Sequence, residues 1–236
     1  MGWRDMVVRC VGCASLVLLS GGVRAHAQIG LGYSGTAAGG IPPLMRDALV
    51  VLMGAREVET VAGVPLAPPV SDAAAPQRTI IVRQGSRWEQ YTRYTRLLPV
   101  PRLPDALVET ATQTCVERSS VWRCSRYLNS DPASAEALGL PETGWSAAGR
   151  RVILGQLCQG YGYTTRADPY RSQRFVYWVN PSTRRFVLVE FYLRAVSSSP
   201  STALNVHVRA PFLRWNDPSL RAQIPRVPGL SDGVMS

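Results

Sequence analysis

The sequence predicts a mainly β (α+β) fold, an antiparallel sheet with one or two short helices packed on one face. Three observations carry that expectation. Strand-like runs rich in Val, Ile, Thr, Tyr, Phe and Trp follow one another from Arg78 to about residue 210. The connections between them are short and carry Gly, Ser, Asn or Pro. Helical signals are confined to two short stretches, which leaves strand following strand as the organising pattern.

Taken in order, residues 44–53 (Leu-Met-Arg-Asp-Ala-Leu-Val-Val-Leu-Met) suit either a short helix begun by Pro43 or a buried strand, because so short a run has no decisive period. Residues 62–77 read as an Ala/Pro/Val loop. Arg78–Arg83 and Arg87–Arg96 form two strands around the three-residue loop Gln84-Gly85-Ser86. After the Pro-rich break at 99–104, a strand pair is expected at 107–116 and 121–128. A short helix over 131–139 has Asp131 as N-cap, Pro132 at the first position and Gly139 just past its end. The last strands are expected at 150–165, 174–180, 185–193 and 203–210.

The hairpin at 174–192 departs from the alternation of a half-solvated sheet, being apolar at almost every position. With a four-residue turn at Asn180–Thr183, one face carries Phe175, Tyr177, Val179, Phe186 and Leu188. The other carries Val176, Trp178, Val187, Val189 and Phe191, with Arg185 laid on the Trp178 indole. Neither face suits water, so both need a cover.

The chain opens with Arg4 and Arg9, continues through an apolar run at 10–19 and reaches Ala25-His26-Ala27. That order is that of a secretory signal peptide, so residues 1–27 are expected to be removed on export to a periplasmic or extracellular space. Loss of Arg4, Arg9, Arg24 and Asp5 lowers the formal charge from +10 to +8. Residues 28–43 read as a flexible Gly-rich tail, 44–210 as one β-rich domain and 211–236 as a Pro-rich tail. All the basic residues of charge are arginine, and they are dispersed along the chain. Nucleic-acid binding, which needs a basic stripe with stacking aromatics, is not expected, whereas peripheral contact with anionic surfaces is.

Three cysteines follow the signal peptide. A two-residue turn at Ser119-Ser120 pairs Arg118 with Val121 and, three steps out, Cys115 with Cys124, close enough for a cross-strand disulfide. Cys158 remains an alternative partner for either, and is otherwise expected as a buried thiol in a strand.

Candidate chemistry is sparse. His207 is the one histidine outside the signal peptide, so neither a multi-histidine metal site nor a cofactor is expected. Gly155–Gly162 contains Gly-x-Gly but no lysine and no following helix, which does not make a phosphate loop. Paired carboxylates are the remaining catalytic option, with Glu89, Glu109, Glu117, Asp168 and Glu190 as the acids. Glu190 stands in the apolar run Phe-Val-Leu-Val-Glu-Phe-Tyr, where burial raises a carboxyl's pKa; pairing with an arginine is the simpler expectation. A non-enzyme is therefore expected.

Val152-Ile-Leu-Gly155-Gln-Leu-Cys158-Gln-Gly-Tyr161, then Tyr177-Trp178-Val179-Asn180-Pro181-Ser182-Thr183, then Phe186-Val-Leu-Val-Glu190 together resemble the periplasmic lipoprotein-carrier superfamily, in particular its uncharacterised exported relatives. The resemblance covers roughly residues 78–192. It implies an open, curved antiparallel sheet, a half barrel, with helices plugging its concave face and a cavity for an apolar or amphipathic, lipid-like ligand. Tyr163, Phe175, Tyr177, Phe186 and Leu188 are the expected hydrophobic lining. A structural or interaction module of the cell envelope, bound to a protein partner, is the rival expectation.

Overall fold

The computed structural model describes residues 40–62, 77–94, 104–168, 171–195, 204–231, 233 and 234. The expected signal peptide, most of the Gly-rich tail and most of the Ala/Pro loop lie outside the described residues. The described chain forms helix α1 (Pro43–Gly54) and eleven strands: β1 (Glu57–Ala62), β2 (Gln77–Gln84), β3 (Arg87–Tyr94), β4 (Ala106–Thr110), β5 (Gln113–Arg118), β6 (Val121–Arg126), β7 (Ser146–Ile153), β8 (Gln156–Asp168), β9 (Arg171–Asn180), β10 (Arg185–Ala195) and β11 (Leu204–Trp215).

All strand pairs are antiparallel, in one curved, unclosed sheet ordered β6-β5-β4-β3-β2-β1-β11-β10-β9-β8-β7. The chain starts in the middle at β1, meanders out to one edge at β6, and crosses to the other edge through residues 127–145. It then meanders inward to β11, which closes on β1 through Val58–Trp215 and Thr60–Phe212.

The ambiguous run at 44–53 is helical. Met45, Ala48, Leu49 and Leu52 are its buried positions, an i, i+3, i+4, i+7 stripe, and Pro43 opens its first turn. That stripe lies on what is termed here the inner face of the sheet. It joins Ala133, Leu138 and Leu140 of the crossover and the aromatics of β8–β11 in one core. The opposite, outer face of the β1–β6 half is covered by the end of the chain, where Leu220, Ile224 and Val227 pack on Ile80, Val82, Tyr91, Val108 and Cys115.

Several expectations need correcting. The domain does not stop at 210: β11 runs to Trp215, a 3-10 helix follows at Pro218–Gln223, and the segment beyond is core. Prolines hid this, since Pro211 sits in β11 and Pro218 opens the 3-10 turn. The run 107–116 folds into two strands around Ala111-Thr112, and 150–165 into two around Leu154-Gly155, both φ positive at the latter turn. Residues 57–62, unread as strand, form β1. Residues 131–139 make successive turns rather than a helix, although the Asp131 carboxylate caps the Ala133 N–H at 2.8 Å and Gly139 takes a positive φ. Gly85-Ser86 is a two-residue turn, because Gln84 already pairs with Arg87.

The β5–β6 hairpin has the expected register. Cys115 lies opposite Cys124, Ser119 and Ser120 both take positive φ, and the disulfide is formed. Cys158 is a free, buried thiol, and burial raises its pKa.

Candidate functional site

Four of the five expected lining residues come together on the inner face of β8–β10. Tyr163 stacks on Phe175 at 5.0 Å between ring centres, and Tyr177 meets Phe186 edge-on at 6.2 Å. The Tyr163 hydroxyl donates to the Gly139 carbonyl at 2.7 Å and the Tyr177 hydroxyl to the Leu138 carbonyl at 2.8 Å. Both phenols therefore hold the crossover down on the sheet, and complete burial pushes the Tyr177 pKa well up. None of the four is more than 5 % exposed. Helix α1 and the crossover are the cover this face required, and Arg83 reinforces it with two bonds to Asp131 at 2.6 and 2.5 Å.

Leu188 is the exception. Val179 pairs with Phe186 and Trp178 with Leu188, so the strand bulges at Val187 and the parity beyond it reverses. Leu188 thus joins Val176 and Trp178 on the outer face, whereas Val189 and Phe191 turn inward. The four-residue turn lies at 181–184, one residue later than expected, which changes the partner of Phe186 from Tyr177 to Val179 but not its face; the extra residue at Val187 is what exchanges the faces beyond it.

On that outer face Trp178 is held by three groups. Its Nε1 donates to Glu190 at 2.7 Å, and the Arg151 guanidinium lies 4.4 Å over its ring. On its other side is Gly160, where a Cβ would stand 2.7 Å from the indole. The Gly-x-Gly signal is thus packing room for a tryptophan. Arg185, expected on Trp178, lies over Trp215 instead. Glu190 meets Arg151 at 3.2 Å, His207 at 3.4 Å and Arg209 at 3.6 Å. Burial pushes its carboxyl up, but the Trp178 and Arg151 contacts outweigh this and the net shift is downward. The pairing with arginine holds, and a raised pKa does not. Glu190 is a neutralised structural carboxylate.

The inner face of β2–β6 is built differently. Thr79 and Thr92 touch at 3.3 Å, and buried Gln90 donates from Nε2 to buried Glu109 at 3.0 Å. Burial raises the Glu109 pKa to about 7 against the weaker opposing bond from Gln90. Among the described residues Gln90 Oε1 and Thr60 Oγ1, both buried, have no hydrogen-bond partner; such atoms cost roughly 1–3 kcal/mol each if left dry. Continuing outward on the same face, Leu107 pairs with Val116, and Val116 with Arg123. Val116, Arg118, Val121 and Arg123 line an open recess of about 350 Å³. Reading the sequence missed this recess, whose only trace is the alternation of Val and Arg across the Ser119-Ser120 turn.

Among the described side chains, Glu89, Glu109, Glu117 and Glu190 do not assemble for glycosidic cleavage, which needs two carboxyls across one bond. Glu109 lies on the inner face, while Glu89 and Glu117 lie on the outer face by register and Glu190 is on the other half of the sheet. Among the described residues no group of three or more His, Cys, Asp or Glu is placed to hold a metal ion.

No protein-family model matches the chain, and no curated protein does. Solved structures similar to it include the lipoprotein LppX from Mycobacterium tuberculosis, at 13 % identity and a TM-score of 0.44 over 74 % of this chain and 94 % of that one. LprF from Mycobacterium bovis has 12 % identity and a TM-score of 0.42, over 76 % and 96 %. A LolA superfamily protein from Nitrosomonas europaea has 15 % identity and a TM-score of 0.31, over 73 % and 90 %. A likeness of this size speaks to neither ligand nor activity.

Proposed function

We propose that this protein is an exported, non-enzymatic binding protein that takes an apolar or amphipathic, lipid-like ligand on the inner face of the β1–β6 half of its sheet. The observation that carries the reading is the recess beside Leu107, lined by Val116, Val121, Arg118 and Arg123, because it sets apolar side chains next to cations on an otherwise buried face. At about 350 Å³ it falls at the low end of small-molecule sites, roughly 300–1,000 Å³. The ligand is an acyl chain with an acidic head: the chain lies on the valines and the head meets the guanidinium groups. Tyr163, Phe175, Tyr177 and Phe186 are the wall that fixes α1 and the crossover, so the ligand meets the far half of the same face.

The test is a titration of delipidated protein with a fluorescent polyene fatty acid and with the matching alcohol. Enhanced probe emission is expected, weakened at least tenfold for both probes in Val116→Asp/Val121→Asp. In Arg118→Ala/Arg123→Ala only the acid is weakened. No enhancement, or equal binding by the valine variant, contradicts the reading.

A further inference from the structure

Beyond ligand binding, we infer that the end of the sheet carrying the β7–β8 and β9–β10 turns is a docking surface for an anionic lipid bilayer. The β7–β8 hairpin exposes three large apolar side chains at its tip, Val152 at 66 %, Leu154 at 61 % and Leu157 at 56 %. Val152 and Leu157 are cross-strand partners, and Leu154 is at the turn itself with φ near +49°. A two-residue turn of this kind favours Asn or Gly, so an exposed leucine there serves neither the turn nor the core.

The surface continues across the neighbouring turn. Asn180 donates to Gln156 at 2.9 Å, tying the hairpin to the β9–β10 turn, and Arg184 on the far side of that turn meets Asp47 of α1 at 3.6 Å. Asp47, Val50 and Met53 share one stripe of α1, where Val50 is 63 % and Met53 47 % exposed. Apolar side chains therefore stand on both sides of one turn, on a rim where α1 leads into β1.

Charge decides the occupant. With Arg151 set aside because it pairs with Glu190, residues 43–56, 150–159 and 180–185 hold Arg46, Arg56, Arg150, Arg184 and Arg185 against one acid, Asp47, which Arg184 already pairs. Apolar tips ringed by arginine match the interface of a membrane with acidic headgroups, where the leucines enter the acyl boundary and the guanidinium groups stay at phosphate level. A hydrophobic protein partner would not select for so one-sided a ring. A second copy added along the free edge of β7 would bury strand backbone instead.

Sedimentation with vesicles tests this, using phosphatidylcholine alone and phosphatidylcholine with phosphatidylglycerol. The protein is expected to co-sediment with the anionic vesicles and to be released by high salt. Leu154→Asp/Leu157→Asp and, separately, Arg150→Glu/Arg184→Glu should each lower partitioning tenfold or more. All four positions are exposed, so melting temperature and fatty-acid probe binding should stay as in the parent. The inference is overturned if the parent ignores anionic vesicles, if the leucine variant binds them as well as the parent, or if light scattering shows that this variant loses only a dimer.

Discussion

On the β7–β11 half of the sheet the inner face carries Tyr163, Phe175, Tyr177, Phe186, Phe191 and Phe212 among valines, and the chain covers these aromatics with its own helix and crossover, phenol to carbonyl. On the β1–β6 half the inner face is interrupted by Thr79–Thr92 and Gln90–Glu109, and ends in an open recess at β5–β6. Backbone pairing is antiparallel in both, so the difference lies in side chains. The first half holds the fold together through this buried core, while the tip of its β7–β8 hairpin stays exposed. The second retains buried polar atoms that a core built for stability alone would replace, because each one lowers stability unless something bonds it. The sealed core, which runs on to Val58, Ala62 and Ile81 of β1–β2, and the open recess at β5–β6 thus lie on one face.

The sharpest way to break this division is to damage the scaffold. Phe186→Ala empties a fully buried position between Tyr177 and Phe212, and should cost about 3–5 kcal/mol in chemical denaturation. A loss under about 1 kcal/mol would mean that the aromatic face is loosely filled.

The two buried carboxylates give a smaller effect and opposite signs. Glu109 has its pKa raised to about 7 from 4.5, so the native state holds a proton that the unfolded chain has released between those values. Its penalty is absent in acid, grows as pH rises through that window and is complete above it. Glu109→Gln should therefore stabilise by about 2–3 kcal/mol at pH 8 and by little at pH 4. Glu190 is lowered by Trp178 and Arg151 despite burial, so its contribution is present above the ordinary carboxylate range and lost in acid. Glu190→Gln should destabilise at neutral pH, with the difference shrinking on acidification. The same sign for both variants across pH would remove the contrast between the halves.

Much of the fold was legible in the sequence because strand periodicity and turn residues act locally. The β5–β6 register follows from Ser119-Ser120 and sets Cys115 opposite Cys124, while Cys158 drops out as a partner only in the structure. What escaped was decided by tertiary contacts. The bulge at Val187 has no mark in an unbroken apolar run, yet it moves Leu188 outward and brings Val189 and Phe191 in. Glu57–Ala62 is too short and too acidic to read as a central strand. Glu57 and Glu59 are tolerated there because Arg221 and Arg214 reach them at 2.6 and 2.5 Å from the C-terminal segment. The inner face was half legible: its aromatics are where the pattern put them, but only the structure shows that α1 and the crossover occupy the space above them.

The most direct test of ligand binding on the open half is native mass spectrometry of the protein released gently from the producing cells. The account predicts an adduct with the mass of an acyl-bearing amphiphile, present in the parent and in Leu154→Asp/Leu157→Asp but lost in Val116→Asp/Val121→Asp. A bare protein mass in the parent, or an adduct that survives the valine substitutions, would contradict it.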